Sequence, residues 1–303
     1  RAHLIRLDVA TSARLQRADV VFLNEVDLGM ARSGNLHVAL ALAERLDMHW
    51  VFAPAHIELT KGVGAELDAP GENAVGLQGN AILSRHALHE VRLVRLACCF
   101  EPFHFHEKRY GGRVAVAASI DTAGGAMTLV GTHLEVRNTP ACRGAQMRNI
   151  AASVGRHGAA LLGGDLNCST FPRGNTWRTA AGVARLLGNV ERLRAELRDP
   201  RAREPLFLEL GRIGMRTRGW NTEDVTIVER IDALEDAAYL PRFVVRAISR
   251  RLDRFGRLLP MRLDWFAGRD LEPLNPRTIA AIAGEDGARV SDHDPITVEL
   301  SVG

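Results

Sequence analysis

Lysine is almost missing from this 303-residue chain: Lys61 and Lys108 are the only two, so arginine carries nearly all the positive charge. Aromatic residues make up only 5%, and no apolar run approaches the roughly 20 residues that a membrane-spanning helix needs. That argues against an integral membrane span. No signal-peptide pattern follows Arg1. Cysteine is scarce as well, limited to Cys98, Cys99, Cys142 and Cys168, with no Cys-x-x-Cys pair. The adjacent Cys98 and Cys99 make a poor zinc or disulfide frame. All four read as reduced thiols, which favours a cytoplasmic setting. A chain opening at Arg1 suggests a missing start, so secretion is not excluded.

What is present is ordinary for a globular protein: 46% hydrophobic residues and a length that buries a large core without staples. The net charge of +3 is mildly basic. A guanidinium fork matches phosphate oxygens, but an arginine-biased composition gives the same count.

Ala18 to Glu25 is a short apolar run with a polar end, the pattern of a buried strand. Asn35 to Leu46 has helical periodicity, with Asn35 as a candidate N-cap. Further strands are predicted at 49–53, 80–83, 91–96, 114–120, 127–132, 159–162, 263–267 and 296–300, with Gly124-Gly125 marking a hairpin. A helix is predicted over 141–154, and 178–210 reads as helical or irregular. Tyr239 to Leu259 reads as an amphipathic helix, with Arg242, Arg246, Arg250 and Arg254 stepping along it. One α/β domain over 1–303 results, with a mainly helical insertion at about 178–259.

Polar residues gather where these strands end: Glu25, His133, Asp165, Asn167, Asp264, Asp292 and His293. Strand ends and the loops after them are where α/β folds place function. Hard oxygen donors suit Mg2+ or Mn2+, and histidine transfers protons near neutral pH. Singly, most of these positions have bland readings. Glu25 could be a surface charge with Asp27 as the ligand instead, and Asp165 could be a turn residue.

As an ordered set they resemble the endonuclease/exonuclease/phosphatase superfamily. LNE at 23–25, THL at 132–134, GDLN at 164–167, LDW at 263–265 and SDHDP at 291–295 carry the likeness across nearly the whole chain. GDLN and SDHDP are the specific members. The resemblance implies a four-layer α/β/β/α sandwich with two mixed sheets and the site at one edge. It also implies roles. Glu25 would ligate the metal, with Asp292 beside it. Asp165 would orient or deprotonate the attacking water, and Asn167 would hold the phosphate. His293 would face the scissile phosphate, oriented by Asp264, and His133 would serve the leaving oxygen.

Two departures stand out. The family usually opens with a strand ending in asparagine, and none precedes Glu25, so the first strand is expected to be missing. Asn24 stands where glutamine is common. Arg113 and Arg143 are candidate phosphate contacts, with salt bridging as the alternative. His104, His106 and Glu107 form a weaker candidate for a second metal site. The expected activity is hydrolysis of a phosphodiester, first in nucleic acid, by a monomer. The alternatives are a small or lipid-headgroup substrate, or a catalytically weak binding module.

Overall fold

Alternation of apolar side chains along the strands sets the architecture. A computed structural model describes residues 15, 17–99, 101, 103, 108–136, 139–168, 188–230, 242–280 and 291–301. One sheet contains β1 (Val20–Leu28), β2 (His49–Glu58), β3 (Leu77–Ser84) and the short β5 (Arg109–Gly111), in the order β1-β3-β2-β5. The second contains β4 (His89–Arg95), β6 (Val114–Thr122), β7 (Gly125–His133), β8 (Ala159–Asp165) and β11 (Asp264–Arg269), in the order β11-β8-β7-β6-β4. The described part of the first sheet is antiparallel throughout. The second is mixed, because β7 and β8 run parallel on either side of a helical crossover.

Successive residues point to opposite faces. On β1, Phe22 enters the space between the sheets, while Val21 faces the helix α1 (Val38–Leu46). On β6, Val114 and Val116 face the first sheet, and Ala115 and Ala117 face outward. The outward face is covered by α2 (Pro140–Val154) and α4 (Leu206–Arg212), through Met147, Ile150, Leu206 and Leu210. Three apolar layers between four structural layers make the expected α/β/β/α sandwich. The paired glycines of β8 permit it locally. A Cβ at Gly163 would lie 2.7 Å from the Phe22 ring, and one at Gly164 would strike the Thr132 carbonyl oxygen.

Several local expectations change. His37, not Asn35, caps α1, its ring nitrogen accepting from Leu40 N–H. The arginine-bearing helix, α5 (Arg242–Leu252), stops short of 259. A 3-10 turn and Gly256 in the left-handed region end it, and the chain becomes β10 (Leu258–Met261), paired with β9 (Ile227–Arg230). With α3 (Val190–Arg198), this ribbon encloses a small core of Leu193, Leu197, Ile227, Leu252, Leu259 and Leu263. β12 (Glu272–Thr278) pairs with β13 (Ile296–Ser301). Residues 1–14, 178–187, 231–241, His104, His106 and Glu107 lie outside the described residues, and with them the opening segment and the weaker metal candidate.

The reduced-thiol expectation fails. Cys99 and Cys142 form a disulfide, with Cα atoms 6.1 Å apart, tying the segment after β4 to the first turn of α2. Cys98 and Cys168 are in no disulfide. The adjacent cysteines hid this, because only the second of them faces α2. Disulfides persist in oxidising compartments, so the argument from thiols to the cytoplasm goes with it. No helix among the described residues is long and apolar enough to cross a membrane. Closing a loop of 43 residues stabilises by about 4 kcal/mol in the chain-entropy description. Cys142→Ser is therefore expected to lower the denaturant midpoint substantially. An unchanged midpoint under non-reducing conditions would count against the bond.

Candidate active site

The chemistry-bearing residues meet at one rim of the sandwich because three strands of the second sheet end there in register. His133 on β7 pairs with Asp165 on β8, and Asp165 pairs with Asp264 at the start of β11. From the first sheet, a bulge in β1 between Leu23 and Val26 swings Glu25 outward, with φ at 54°. Its side chain is 58% exposed, and its carboxylate lies 3.8 Å from His133 Nδ1.

Asn24 clamps the two sheets at this point. Its amide donates to Asn80 Oδ1 and to the Thr132 carbonyl, both at 3.0 Å. Its Oδ1 accepts from the Asp165 backbone N–H, also at 3.0 Å. The shorter side chain in the usual glutamine position thus spans the gap between sheets. Asn80 in turn donates to the Val114 carbonyl at 2.9 Å.

Asp165 is buried, and one carboxylate oxygen accepts from Asn167 N–H at 2.7 Å. Asn167 adopts φ 46° and ties its amide to the Leu134 carbonyl at 2.8 Å. Burial pushes the Asp165 carboxyl up to about 7. Repulsion from Asp264 and Glu25 adds to that, while His293 and the Asn167 N–H oppose it.

His293 Nδ1 lies 2.7 Å from Asp264 Oδ2. Burial alone would lower its pKa. The Asp264 hydrogen bond and the charges of Asp264, Asp165 and Asp292 outweigh burial and raise it to about 10. His133 is the opposite case. Burial first, then the charges of Arg113 and His293, hold it well below 6.5. Arg113 Nη1 donates to His133 Nδ1 at 2.9 Å, since a guanidinium has no acceptor. The neutral ring must therefore carry its proton on Nε2, which lies 3.5 Å from Asp165 Oδ2. Glu135 flanks Arg113 at 3.5 Å, and its backbone N–H donates to Gln146 Oε1 at 2.9 Å.

Other candidates separate from the cluster. Asp27 is tied to Arg32 by two hydrogen bonds of 2.9 Å. Arg143 is fully buried beneath the second sheet, its Nε donating to Glu204 at 3.0 Å. Asp292 is exposed beside His293. Trp220 and Trp265 are core residues. Sequence reasoning missed Thr226. Its hydroxyl accepts from Leu263 and Asp264 N–H, and its carbonyl accepts from Asp294 N–H. One buried threonine thus sets both Asp264 and the loop bearing His293. No motif surrounds it, so no sequence signal could have found it.

Among the described residues no group of three or more His, Cys, Asp or Glu makes a closed metal cage. Magnesium does not require one, since it binds through one or two carboxylates and keeps several waters. The exposed Glu25 carboxylate and the mutually repelling Asp165 and Asp264 supply oxygen donors of the kind such an ion takes. The residues fit such an ion.

In metal-free protein the His293 ring is expected to titrate near pH 10, and Asp264→Asn should bring that midpoint down. Because the folded value lies above the unfolded 6.5, the pair's stabilisation is complete below that pH and is lost as pH rises through about 10. Histidine-detected NMR reads it directly, and an unmoved midpoint in the variant would refute the pairing.

A two-sheet sandwich carrying acid–histidine pairs at its strand ends is a phosphoesterase scaffold. The chain matches the Endonuclease/Exonuclease/phosphatase family over residues 5–293 and belongs to it, a family of hydrolases acting on phosphoester bonds. Solved structures share the fold at low identity. An endonuclease/exonuclease/phosphatase from Beutenbergia cavernae is 18% identical with a TM-score of 0.56. The alignment covers 97% of this chain but only 65% of that one. A family protein from Leptotrichia buccalis is 15% identical at 0.55, with coverages of 98% and 92%. The human Nocturnin catalytic domain, solved with bound sulfate, is 15% identical at 0.54, with coverages of 99% and 85%. No curated protein matches the chain in sequence.

Proposed function

We propose that the protein is a divalent-metal-dependent phosphodiesterase acting on nucleic acid. The supporting observation is the juxtaposition at one rim of Asp165, the Asp264–His293 pair and a neutral His133, with Glu25 facing them. Glu25 and Asp292 would hold Mg2+ or Mn2+, which when bound supplies charge relief at the phosphate and lowers the pKa of water. Asp165 keeps one oxygen on Asn167 N–H and offers the other to the proton of the attacking water. Asn167 directs an amide hydrogen to a phosphate oxygen. His293, charged through Asp264, presents Nε2–H to the phosphoryl group and balances its growing negative charge. His133 Nε2–H donates to the leaving oxygen, which takes its proton from solvent. Arg113 fixes that tautomer and adds charge near the phosphate. Arg143, engaged by Glu204, belongs to the scaffold.

Incubation with Mg2+ or Mn2+ and, in parallel, bis-p-nitrophenyl phosphate, DNA, RNA and sphingomyelin tests the reading. Turnover of the chromogenic diester and of a nucleic acid is expected, abolished by chelator. Activity that survives chelation refutes the metal, turnover of sphingomyelin alone refutes the nucleic acid, and no turnover from folded protein refutes the enzyme.

A further inference from the structure

Positive charge is concentrated in one stretch. Residues 242–262 carry seven arginines and one acidic residue, Asp253, a net +6 against +3 for the whole chain, so the remainder is net negative. Only part of this charge is spent internally. Arg257 pairs with Asp253 at 2.6 Å. Arg262 is buried, donating to the Asp224 carbonyl and lying over the Trp265 ring. Arg246, Arg250 and Arg251 on α5 are exposed, and among the described residues none has a hydrogen bond or ion pair.

The helix explains why. Among the described side chains of α5, Ser249 and Leu252 are buried, with Leu252 in the small core under the ribbon. The opposite side therefore presents Arg246, Ala247, Arg250 and Arg251 to solvent. Among the described side chains of that side, three are arginines and none is a large exposed apolar residue. Guanidinium groups without carboxylate partners favour phosphate, which they bind through a planar fork.

Placement links this face to the chemistry. The β9–β10 ribbon begins next to Thr226 and ends three residues before Asp264. Thr226 holds both Leu263 and Asp264, and takes the Asp294 N–H beyond His293. The insertion is therefore rooted in the catalytic rim.

We infer that the exposed face of α5 is a docking surface for the phosphodiester backbone of a nucleic-acid strand, away from the scissile bond. This rests on the phosphodiesterase reading and adds where the polymer is held. Guanidinium contacts to phosphate oxygens carry no base information, so this contribution is independent of sequence.

The test uses the full chain with Arg246, Arg250 and Arg251 all replaced by glutamine. Turnover of bis-p-nitrophenyl phosphate, which has no polymer backbone for α5 to hold, should match wild type. Binding of a fluorescent oligonucleotide should weaken roughly tenfold or more at low salt, and the log-affinity against log-salt slope should shrink by about 2, at roughly 0.7 per lost single-strand phosphate contact. The triple arginine-to-lysine variant should keep most of the slope. Unchanged affinity and slope in the glutamine variant would overturn the inference. So would loss of binding to phosphatidylserine vesicles with oligonucleotide binding intact. Should the triple variant not fold, the three single substitutions are read alone, and three unchanged slopes are likewise fatal. Failure of bis-p-nitrophenyl phosphate turnover in wild type would instead strike the function.

Discussion

His293→Ala should lower kcat for phosphodiester hydrolysis by about 10^3-fold or more, while the protein still folds. The ring does two jobs that alanine cannot do. It carries a positive charge raised by Asp264, and it presents a donor on the side away from Nδ1. Both matter more in the transition state than in the bound substrate, because negative charge on the phosphoryl oxygens grows as the water attacks. The loss should therefore fall on kcat more than on KM. The fold should survive, since the residue lies at the rim with a quarter of its side chain exposed. Parallel kinetics and thermal melts read both outcomes. A loss below tenfold in a folded variant would remove His293 from the chemistry.

Asp165→Asn should cost roughly 10^2 to 10^4 in kcat, the usual range for a general base, with a second signature in stability. The wild-type carboxyl has a folded pKa of about 7 against 3.8 in its ordinary state, so the folded protein binds this proton more tightly than the unfolded chain. Stability therefore falls as pH rises from about 3.8 towards 7. Asparagine keeps the acceptor oxygen for Asn167 N–H and removes the charge. Without metal, the variant should melt at a higher temperature than wild type above neutral pH, yet turn over far more slowly. This is the behaviour of a site that holds strain for function. A variant both active and less stable would contradict it.

Much of the site was legible because its residues end strands, and strand ends are marked by short local motifs. GDLN and SDHDP are such motifs, and the structure brings Asp165, Asp264 and His293 together as their order implied. The hairpin of β6 and β7 was legible for the same local reason, and it closes with Thr122 opposite Gly125. What escaped is non-local. The Cys99–Cys142 bond joins segments with no shared motif. The buried Arg143–Glu204 pair spans two helical regions that periodicity describes only one at a time. The tautomer of His133 depends on Arg113, just before β6, and the seat of Asp264 depends on Thr226. β12 was missed because Pro273 and Pro276 argue against a strand. The prolines are tolerated because, among the described residues, β12 pairs on one side only, with β13.

The proposed site requires separate stretches of the chain to converge on one cation beside one phosphate. Crystals soaked in Mn2+ and read by anomalous scattering address it directly. The expected result is a peak about 2.1 Å from a Glu25 carboxylate oxygen, on the side facing Asp165 and Asp292, and no such peak in Glu25→Gln. A manganese site remote from Glu25, or none at saturating metal, would contradict it.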